Sequence, residues 1–250
     1  MLRILLTNDD GIEAKGLATL VEALVSLGEV TVVAPLGESS AVGHGLTLRS
    51  PLYLRQHAEH WFSVNGTPTD CVNVAVAEVL GDVPDLIVSG INAGLNVGDD
   101  VTYSGTVAGA LEGVLHGVPA LAISLQRSSA MDYEGAGVVA RRLVKAFMIQ
   151  GLPQRTFLNV NIPRGKARGI RVTVQARRNQ RFPTTHTYDA SRGPEVWLRS
   201  AELHWDDNKD SDYNAIQEGW VSVTPLHTDW TNHAVLHRVE LAVASVAEVR

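Results

Sequence analysis

Two adjacent aspartates near the amino terminus are the side chains of this chain best placed to do chemistry. Asp9 and Asp10 stand in the sequence Asn-Asp-Asp-Gly at residues 8–11, directly after a short apolar run at residues 3–7. That run predicts a buried first strand, and open α/β sheets bind ligands beyond the carboxyl ends of their strands. Two carboxylates about 4 Å apart repel by about 4 kcal/mol at an effective dielectric near 20, and a dication reverses this balance. The motif therefore indicates a metal site, and the alternative is that one aspartate caps a helix while the other is solvated.

The elements that must position this motif alternate through the first two thirds of the chain. Apolar residues recur at helical spacing in some segments and form short continuous runs in others. Further strands or extended segments are predicted at residues 30–35, 46–54, 61–64, 86–89, 120–124 and 157–162, and helices at 14–27, 70–80, 104–116 and 138–149. Strands that alternate with helices predict an α/β fold with a mostly parallel sheet and right-handed crossovers.

The pattern changes beyond about residue 165. Residues 170–174 and 195–199 alternate apolar and polar side chains, which predicts strands with one wet face and hence antiparallel hairpins. Four of the five tryptophans lie in this region: Trp197, Trp205, Trp220 and Trp230. These rings either bury in a partner subunit or fill a small local core.

Composition narrows the function classes. The 250 residues include 21 basic and 27 acidic side chains, a net charge of −6, so we expect no nucleic-acid partner. A short basic cluster at residues 177–181 either is solvated or meets phosphates. Cys71 is the only cysteine, which excludes an intrachain disulfide and fits a reducing compartment. No stretch approaches the roughly 20 apolar residues that span a bilayer, so we expect a soluble, cytoplasmic protein without a membrane partner.

Polar residues that can bind metal or phosphate follow several predicted strands. In a parallel sheet these loops emerge at one edge, so the side chains can converge. Carboxylates, a hydroxyl and amide oxygens are hard ligands suited to Mg²⁺ or Mn²⁺, and a glycine at a helix amino end admits an anion. Each residue also has a plainer explanation, as a helix cap or a turn residue. The set comprises Asp9, Asp10, Ser40, Asn92, Asn96, Ser104, Gly105 and Thr106.

Several stretches resemble the SurE survival-protein family of metal-dependent 5′(3′)-nucleotidases and phosphatases. The similarity covers nearly the whole chain and is densest at residues 3–11, 64–72, 88–113 and 218–226. The stretch 88–113 is the most specific of these.

The resemblance implies a Rossmann-like core, residues 1–165, and a β-hairpin-rich extension, residues 166–250, that builds homodimers or homotetramers. It implies one divalent metal ion, Mg²⁺ or Mn²⁺, on Asp9, Asp10, Ser40 and Asn96. It places the phosphate at Asn92, Ser104, Gly105 and Thr106. The implied activity is hydrolysis of nucleoside 5′- or 3′-monophosphates, with Asp9 and Asp10 as catalytic residues.

The loop after the second strand departs from the family pattern, which usually reads Asp-Arg-x-Arg-Ser-Gly. Here residues 36–41 read Leu-Gly-Glu-Ser-Ser-Ala, so two basic residues are missing and the glycine is alanine. Ser40 holds the ligand position by alignment, and Ser39 is adjacent and can substitute. The loss of two positive charges is expected to weaken anion attraction or alter substrate preference.

Other functions remain as alternatives. A phosphoacceptor domain would need a further aspartate near residue 89, a dinucleotide-dependent oxidoreductase would need G-x-G-x-x-G after the first strand, and a haloacid-dehalogenase-like phosphatase would need D-x-D. A nucleotide-binding regulatory protein without turnover also stays open. For an enzyme, attack by water and an aspartyl-phosphate intermediate are both compatible with the motif. His44, in the second loop, is a candidate to protonate the leaving oxygen.

Overall fold

A computed structural model describes residues 1–178, 184–198 and 205–244 of the chain. The strands are β1 Leu2–Thr7, β2 Gly28–Pro35, β3 Leu54–Ala58, β4 Trp61–Val64, β5 Leu86–Ala93, β6 Ala120–Leu125, β7 Thr156–Ile162, β8 Ile170–Val172, β9 Thr184–Asp189, β10 Gly193–Leu198 and β11 Val221–His227. The α-helices are α1 Lys15–Leu24, α2 Pro68–Val74, α3 Gly105–Leu115, α4 Tyr133–Gln150, α5 Asp212–Gln217 and α6 Leu236–Ala244.

One sheet organises the core, with strand order β3-β4-β2-β1-β5-β6-β7-β11-β8. The neighbours from β4 to β7 run parallel, as the alternating pattern predicts. Helices α1 and α4 pack on one face of the sheet, and α2 and α3 pack on the other. Because β2 and β5 flank β1, the loops after these three strands leave the sheet side by side at their carboxyl ends.

Helix α3 approaches the sheet closely because small residues line the contact. A Cβ added to Gly109 would lie 2.8 Å from Thr7 Cγ2 and 2.9 Å from Ser89 Oγ. Such a separation excludes a larger side chain without movement of β1 or β5. The close packing fixes the amino end of α3 over the carboxyl end of β1, where the paired aspartates emerge.

The region beyond residue 165 adds strands in two places, the main sheet and a separate hairpin. β9 and β10 form the predicted antiparallel hairpin, and Arg199 of the predicted second strand lies outside the described residues. β8 instead pairs parallel with β11, so the prediction of a hairpin at residues 170–174 is wrong. Alternation reports one wet face of a strand but not the direction of its partner. β11 pairs antiparallel with β7 and thereby extends the main sheet.

Two tryptophans of this region pack against neighbouring side chains of the same chain, and two are exposed. Trp205 stacks on Tyr213 with ring centroids 5.6 Å apart, and Trp220 lies under the guanidinium groups of Arg168 and Arg171. Trp197 and Trp230 are exposed. Cys71 is buried between α2 and the sheet, as its sequence context predicts. None of the helices in the described ranges is long and apolar enough to traverse a lipid bilayer.

Candidate active site

A tight turn presents the two aspartates at the end of β1. The Asn8 side chain is buried, donates from Nδ2 to the Gly11 carbonyl at 2.9 Å and accepts at Oδ1 from the Gly11 N–H at 3.2 Å. Gly11 has φ +99°, a left-handed conformation that glycine adopts without strain. Asn8 and Gly11 therefore form the turn, and the side chains of Asp9 and Asp10 between them do not take part in these turn hydrogen bonds.

Asp9 is buried, 5% exposed, and is held by the amino end of α3. Its Oδ1 accepts a 2.6 Å hydrogen bond from the Thr106 hydroxyl, and the Thr106 backbone also hydrogen-bonds it. A Cβ on Gly105 would lie 2.8 Å from Asp9 Cβ and 3.0 Å from Asp9 Oδ2, so only glycine allows this approach. Burial raises the pKa of Asp9 to about 6, and the negative charge of Asp10 adds to the increase against the hydrogen bonds from Thr106.

Asp10 faces the loop after β5. Its Oδ2 accepts a 3.1 Å hydrogen bond from the Ala93 N–H, and the Ala93 carbonyl accepts a 2.9 Å bond from Arg127 Nε. Burial raises the pKa of Asp10, and the nearby charge of Glu38 raises it further, while the Ala93 bond and the Arg127 charge oppose the increase. Two neighbouring carboxylates that both resist ionisation indicate a site short of positive charge.

Asn96 is the most firmly positioned of the predicted amide ligands. Its Nδ2 donates to Ser124 Oγ at 2.7 Å, and its backbone N–H donates to Asn161 Oδ1 at 2.8 Å. Its carbonyl accepts from the side-chain amides of Asn159 and Asn161 at 2.8 and 2.9 Å. With the amide nitrogen committed to Ser124, the side-chain oxygen is the end available to a cation.

The predicted phosphate residues have local structural roles as well. Asn92 Nδ2 donates to the Gly94 carbonyl at 3.0 Å, which is a turn contact. Ser104 caps α3, where its Oγ accepts from the Val107 N–H at 3.1 Å. The amino end of this eleven-residue helix still faces the Asp9 carboxylate, and the helix dipole makes it a favourable place for an anion.

The second loop meets the site through its backbone. The Ser39 N–H donates to the Asp9 carbonyl at 2.8 Å, and a Cβ on Gly11 would lie 3.0 Å from the Gly37 carbonyl carbon. The Ser40 side chain is exposed, and its hydroxyl donates to Glu38 Oε1 at 2.8 Å. The structure thus brings Asp9, Gly105 and Thr106 into direct contact, whereas Ser40 is bonded to Glu38.

The donor set consists of oxygens. Among the residues that the structure describes, no three His, Cys, Asp or Glu side chains gather as a metal cluster. A cation at this edge would therefore depend on two carboxylates and on neutral oxygens, the ligands that Mg²⁺ and Mn²⁺ accept. Sequence reasoning missed the supporting residues Ser124, Asn159 and Asn161, and their signal is the presence of polar residues inside otherwise apolar strands.

Comparisons with known proteins agree with this architecture. A family model described as Survival protein SurE matches residues 4–182. The 5′-nucleotidase SurE of Syntrophotalea carbinolica is 48% identical over 231 residues, covering 92% of each chain. The 5′-nucleotidase SurE of Geotalea uraniireducens is 45% identical over 247 residues, covering 96% of this chain and 100% of the relative.

A solved structure is similar over the same extent. The crystal structure of the SurE protein from Aquifex aeolicus matches with a TM-score of 0.87 and 41% identity, covering 96% of this chain and 99% of that one. The resemblance and the α/β fold expected from the sequence are both confirmed. The chain that carries these two aspartates beneath the amino end of α3 belongs to the SurE family.

Proposed function

We propose that this protein is a metal-dependent phosphomonoesterase that hydrolyses nucleoside 5′-monophosphates to nucleoside and phosphate. The observation that carries the proposal is the contact of Asp9, the first of the paired aspartates after β1, with the amino end of α3. It sets a cation-binding pair beside an anion-binding helix end, which phosphoryl transfer requires. Relatives named 5′-nucleotidase SurE, at 45 to 48% identity over most of the chain, support the nucleotide as substrate.

We assign one divalent ion, Mg²⁺ or Mn²⁺, to the side-chain oxygens of Asp9, Asp10, Ser40 and Asn96. Two observations support a cation at these residues. The pKa values of Asp9 and Asp10 are raised, and the bond from Asn96 Nδ2 to Ser124 leaves the side-chain oxygen of Asn96 for a cation. Ser40 would have to exchange its bond with Glu38 for the cation. When bound, a dication polarises phosphoryl oxygens and offsets the negative charges that meet here.

We assign the phosphate to Asn92, Ser104, Gly105 and Thr106. Gly105 begins α3 beside Asp9, and the helix dipole favours negative charge at this amino end. Thr106 holds the Asp9 carboxylate in place through its hydroxyl. These residues would orient the phosphorus atom toward the two aspartates.

Two routes for the attack stay open in this proposal. In the first, water attacks in line with Asp9 or Asp10 as general base. In the second, one of these carboxylates attacks and forms an aspartyl phosphate that water then hydrolyses. Both routes break the bond between phosphorus and the nucleoside oxygen. A phosphate-mimicking fluoride complex that traps or fails to trap a phosphorylated aspartate separates them.

We further propose that the protein works in the cytoplasm as a homodimer or homotetramer. The hairpin β9–β10 exposes Tyr188, Val196, Trp197 and Leu198. In the described part of the chain every residue of α6 is exposed, including Leu236, Val239, Leu241 and Val243. Apolar side chains in this number favour burial against another subunit. Sedimentation velocity on the full chain measures the assembly.

The decisive experiment measures phosphate release from nucleoside 5′- and 3′-monophosphates with EDTA, Mg²⁺ or Mn²⁺. Wild type is compared with Asp9→Asn and with Asp82→Asn, a matched change at an exposed carboxylate near Arg3. We expect metal-dependent release that Asp9→Asn abolishes and Asp82→Asn preserves. Release unaffected by Asp9→Asn would refute the site, and no release with any metal would instead favour a nucleotide-binding regulatory protein.

A further inference from the structure

A histidine of the second loop is bound to a buried glutamate of α3. His44 Nε2 lies 2.6 Å from Glu112 Oε2, with the histidine side chain 31% exposed and the glutamate side chain 10% exposed. The loop is also fixed by its backbone, because the Gly43 N–H donates to the Tyr103 carbonyl at 3.0 Å. Tyr103 directly precedes the helix cap Ser104, so this histidine is tied to the proposed phosphate site.

The glutamate is held as a carboxylate by several partners. Asn73 Nδ2 donates to its Oε1 at 2.8 Å, and His116 Nε2 lies 3.7 Å from the same oxygen and 3.0 Å from Asn73 Oδ1. Burial alone would raise the pKa of Glu112, but the hydrogen bonds from His44 and Asn73 and the charges of the two histidines outweigh it and lower the pKa. The ionised carboxylate accepts a hydrogen bond from the His44 Nε2–H and thereby fixes the orientation of the imidazole ring.

His44 faces the space next to the phosphate site. It lines a cavity of about 510 Å³ together with Thr102, Ser104, Val107 and Leu111. The cavity follows one face of α3 away from Ser104, where the leaving part of a substrate bound at the helix end would project. Over the described residues, Glu112 is the sole hydrogen-bond partner of the His44 ring, which leaves Nδ1 for a ligand.

The second loop offers no other basic side chain. Residues 36–47 contain His44 but neither lysine nor arginine, and Glu38 adds negative charge near Asp10. Within this loop His44 is therefore the one side chain that can deliver a proton to the cavity, and His227, in β11, lines the cavity as well. Departure of a nucleoside oxygen without a proton would produce an alkoxide, which is a poor leaving group.

We propose that His44, positioned by Glu112, is the proton donor to the leaving oxygen of the phosphate ester. This assignment rests on the proposed function. As the bond between phosphorus and the nucleoside oxygen breaks, its electron pair stays on that oxygen and the His44 Nδ1 proton moves to it. The nucleoside leaves as a neutral alcohol, the Nε2 proton remains in the bond to Glu112, and solvent reprotonates Nδ1.

The test compares two esters with different leaving groups in His44→Gln. Glutamine can still donate a hydrogen bond to Glu112, and so can hold the loop, but it cannot deliver a proton. For adenosine 5′-monophosphate we expect kcat to fall about 100-fold, within the usual range for general acid catalysis, with KM changed less than about threefold. For p-nitrophenyl phosphate, whose phenolate leaves without protonation, we expect kcat to stay within about threefold of wild type.

Two further variants guard the interpretation. Glu112→Gln should lower kcat for the nucleotide in the same direction and spare the phenyl ester. His60→Asn changes a half-exposed histidine in the β3–β4 turn at φ +56°, which asparagine tolerates, and should leave both reactions unchanged.

The possible outcomes separate this proposal from the function on which it rests. Equal losses on both esters in His44→Gln would mean that the histidine only shapes the loop, and no loss on the nucleotide would mean that it has no role. Either result overturns the proton donor while the enzyme remains a phosphatase. A wild-type protein that releases no phosphate from any nucleotide refutes the proposed function, and the His44 assignment falls with it.

Discussion

Replacing Asp9 with asparagine should stabilise the metal-free protein at alkaline pH. Burial raises the pKa of Asp9 from its ordinary 3.8 to about 6 in the folded state. One pKa unit corresponds to about 1.4 kcal/mol, so this increase in the pKa means that ionised Asp9 destabilises the folded state by about 3 kcal/mol. Asparagine keeps the shape of the side chain and an oxygen to accept the Thr106 bond, and it carries no charge.

The pH dependence follows from the direction of the change. The folded state binds the Asp9 proton more tightly than the unfolded state, so stability is lost as pH rises from 3.8 to about 6. The gain from Asp9→Asn should therefore be about 3 kcal/mol at pH 8 and about 1 kcal/mol at pH 4.5. Groups that titrate equally in both proteins cancel in this comparison.

The assay is urea denaturation in EDTA, with the free energy of unfolding compared between variant and wild type at both pH values. Asp82→Asn, at an exposed carboxylate, should give no gain at either pH. Addition of Mn²⁺ should stabilise wild type by about 2.7 kcal/mol at 100 times the dissociation constant and stabilise Asp9→Asn less. A variant that is no more stable than wild type at pH 8, or a gain independent of pH, would refute the electrostatic reasoning.

Two further substitutions test the packing and the charge of the site. Gly105→Ala should lower kcat about 10-fold or more, because the new Cβ would lie 2.8 Å from Asp9 Cβ and would misplace this catalytic group. Gly37→Ala is the control and should keep the wild-type kcat, because a Cβ added there meets nothing within 4 Å. Equal effects of the two substitutions would contradict the steric argument. Glu38→Gln removes a negative charge that raises the pKa of Asp10. The KM for nucleotide should therefore fall at low ionic strength, and the difference in KM between variant and wild type should shrink in high salt. An unchanged KM would mean that the charge of Glu38 does not affect substrate binding.

Local sequence was sufficient to predict that Asp9 and the amino end of α3 lie at the same edge of the sheet. The turn that presents Asp9 depends on residues within three positions, and the helix that covers it begins with Gly105, whose small size is legible in the sequence. The parallel sheet that joins them follows from alternating strands and helices. The identity of the residues and the order of the elements were therefore enough to predict the fold class. They were also enough to predict that the loop after β1 and the amino end of α3 lie close together.

Contacts across the chain were beyond sequence reasoning. A glutamate in mid-helix usually faces solvent, and the bond from His44 to Glu112 joins residues 68 positions apart. The same holds for Asn159 and Asn161, whose bonds to Asn96 depend on which face of β7 each side chain occupies. Strand direction was equally hidden, because alternation does not distinguish the parallel pairing of β8 from an antiparallel one.

The position of β11 has a consequence for how the chain is made. Val221–His227 inserts between β7 and β8, although it is synthesised long after β7. Until β11 emerges from the ribosome, the backbone N–H and C=O groups along one edge of β7 are unpaired. The apolar side chain of Phe157 lies in the same strand. Such an edge invites pairing with another copy. Stop codons or proteolytic cuts between β7 and β11 should therefore give insoluble fragments, even though every residue of the proposed catalytic site precedes them.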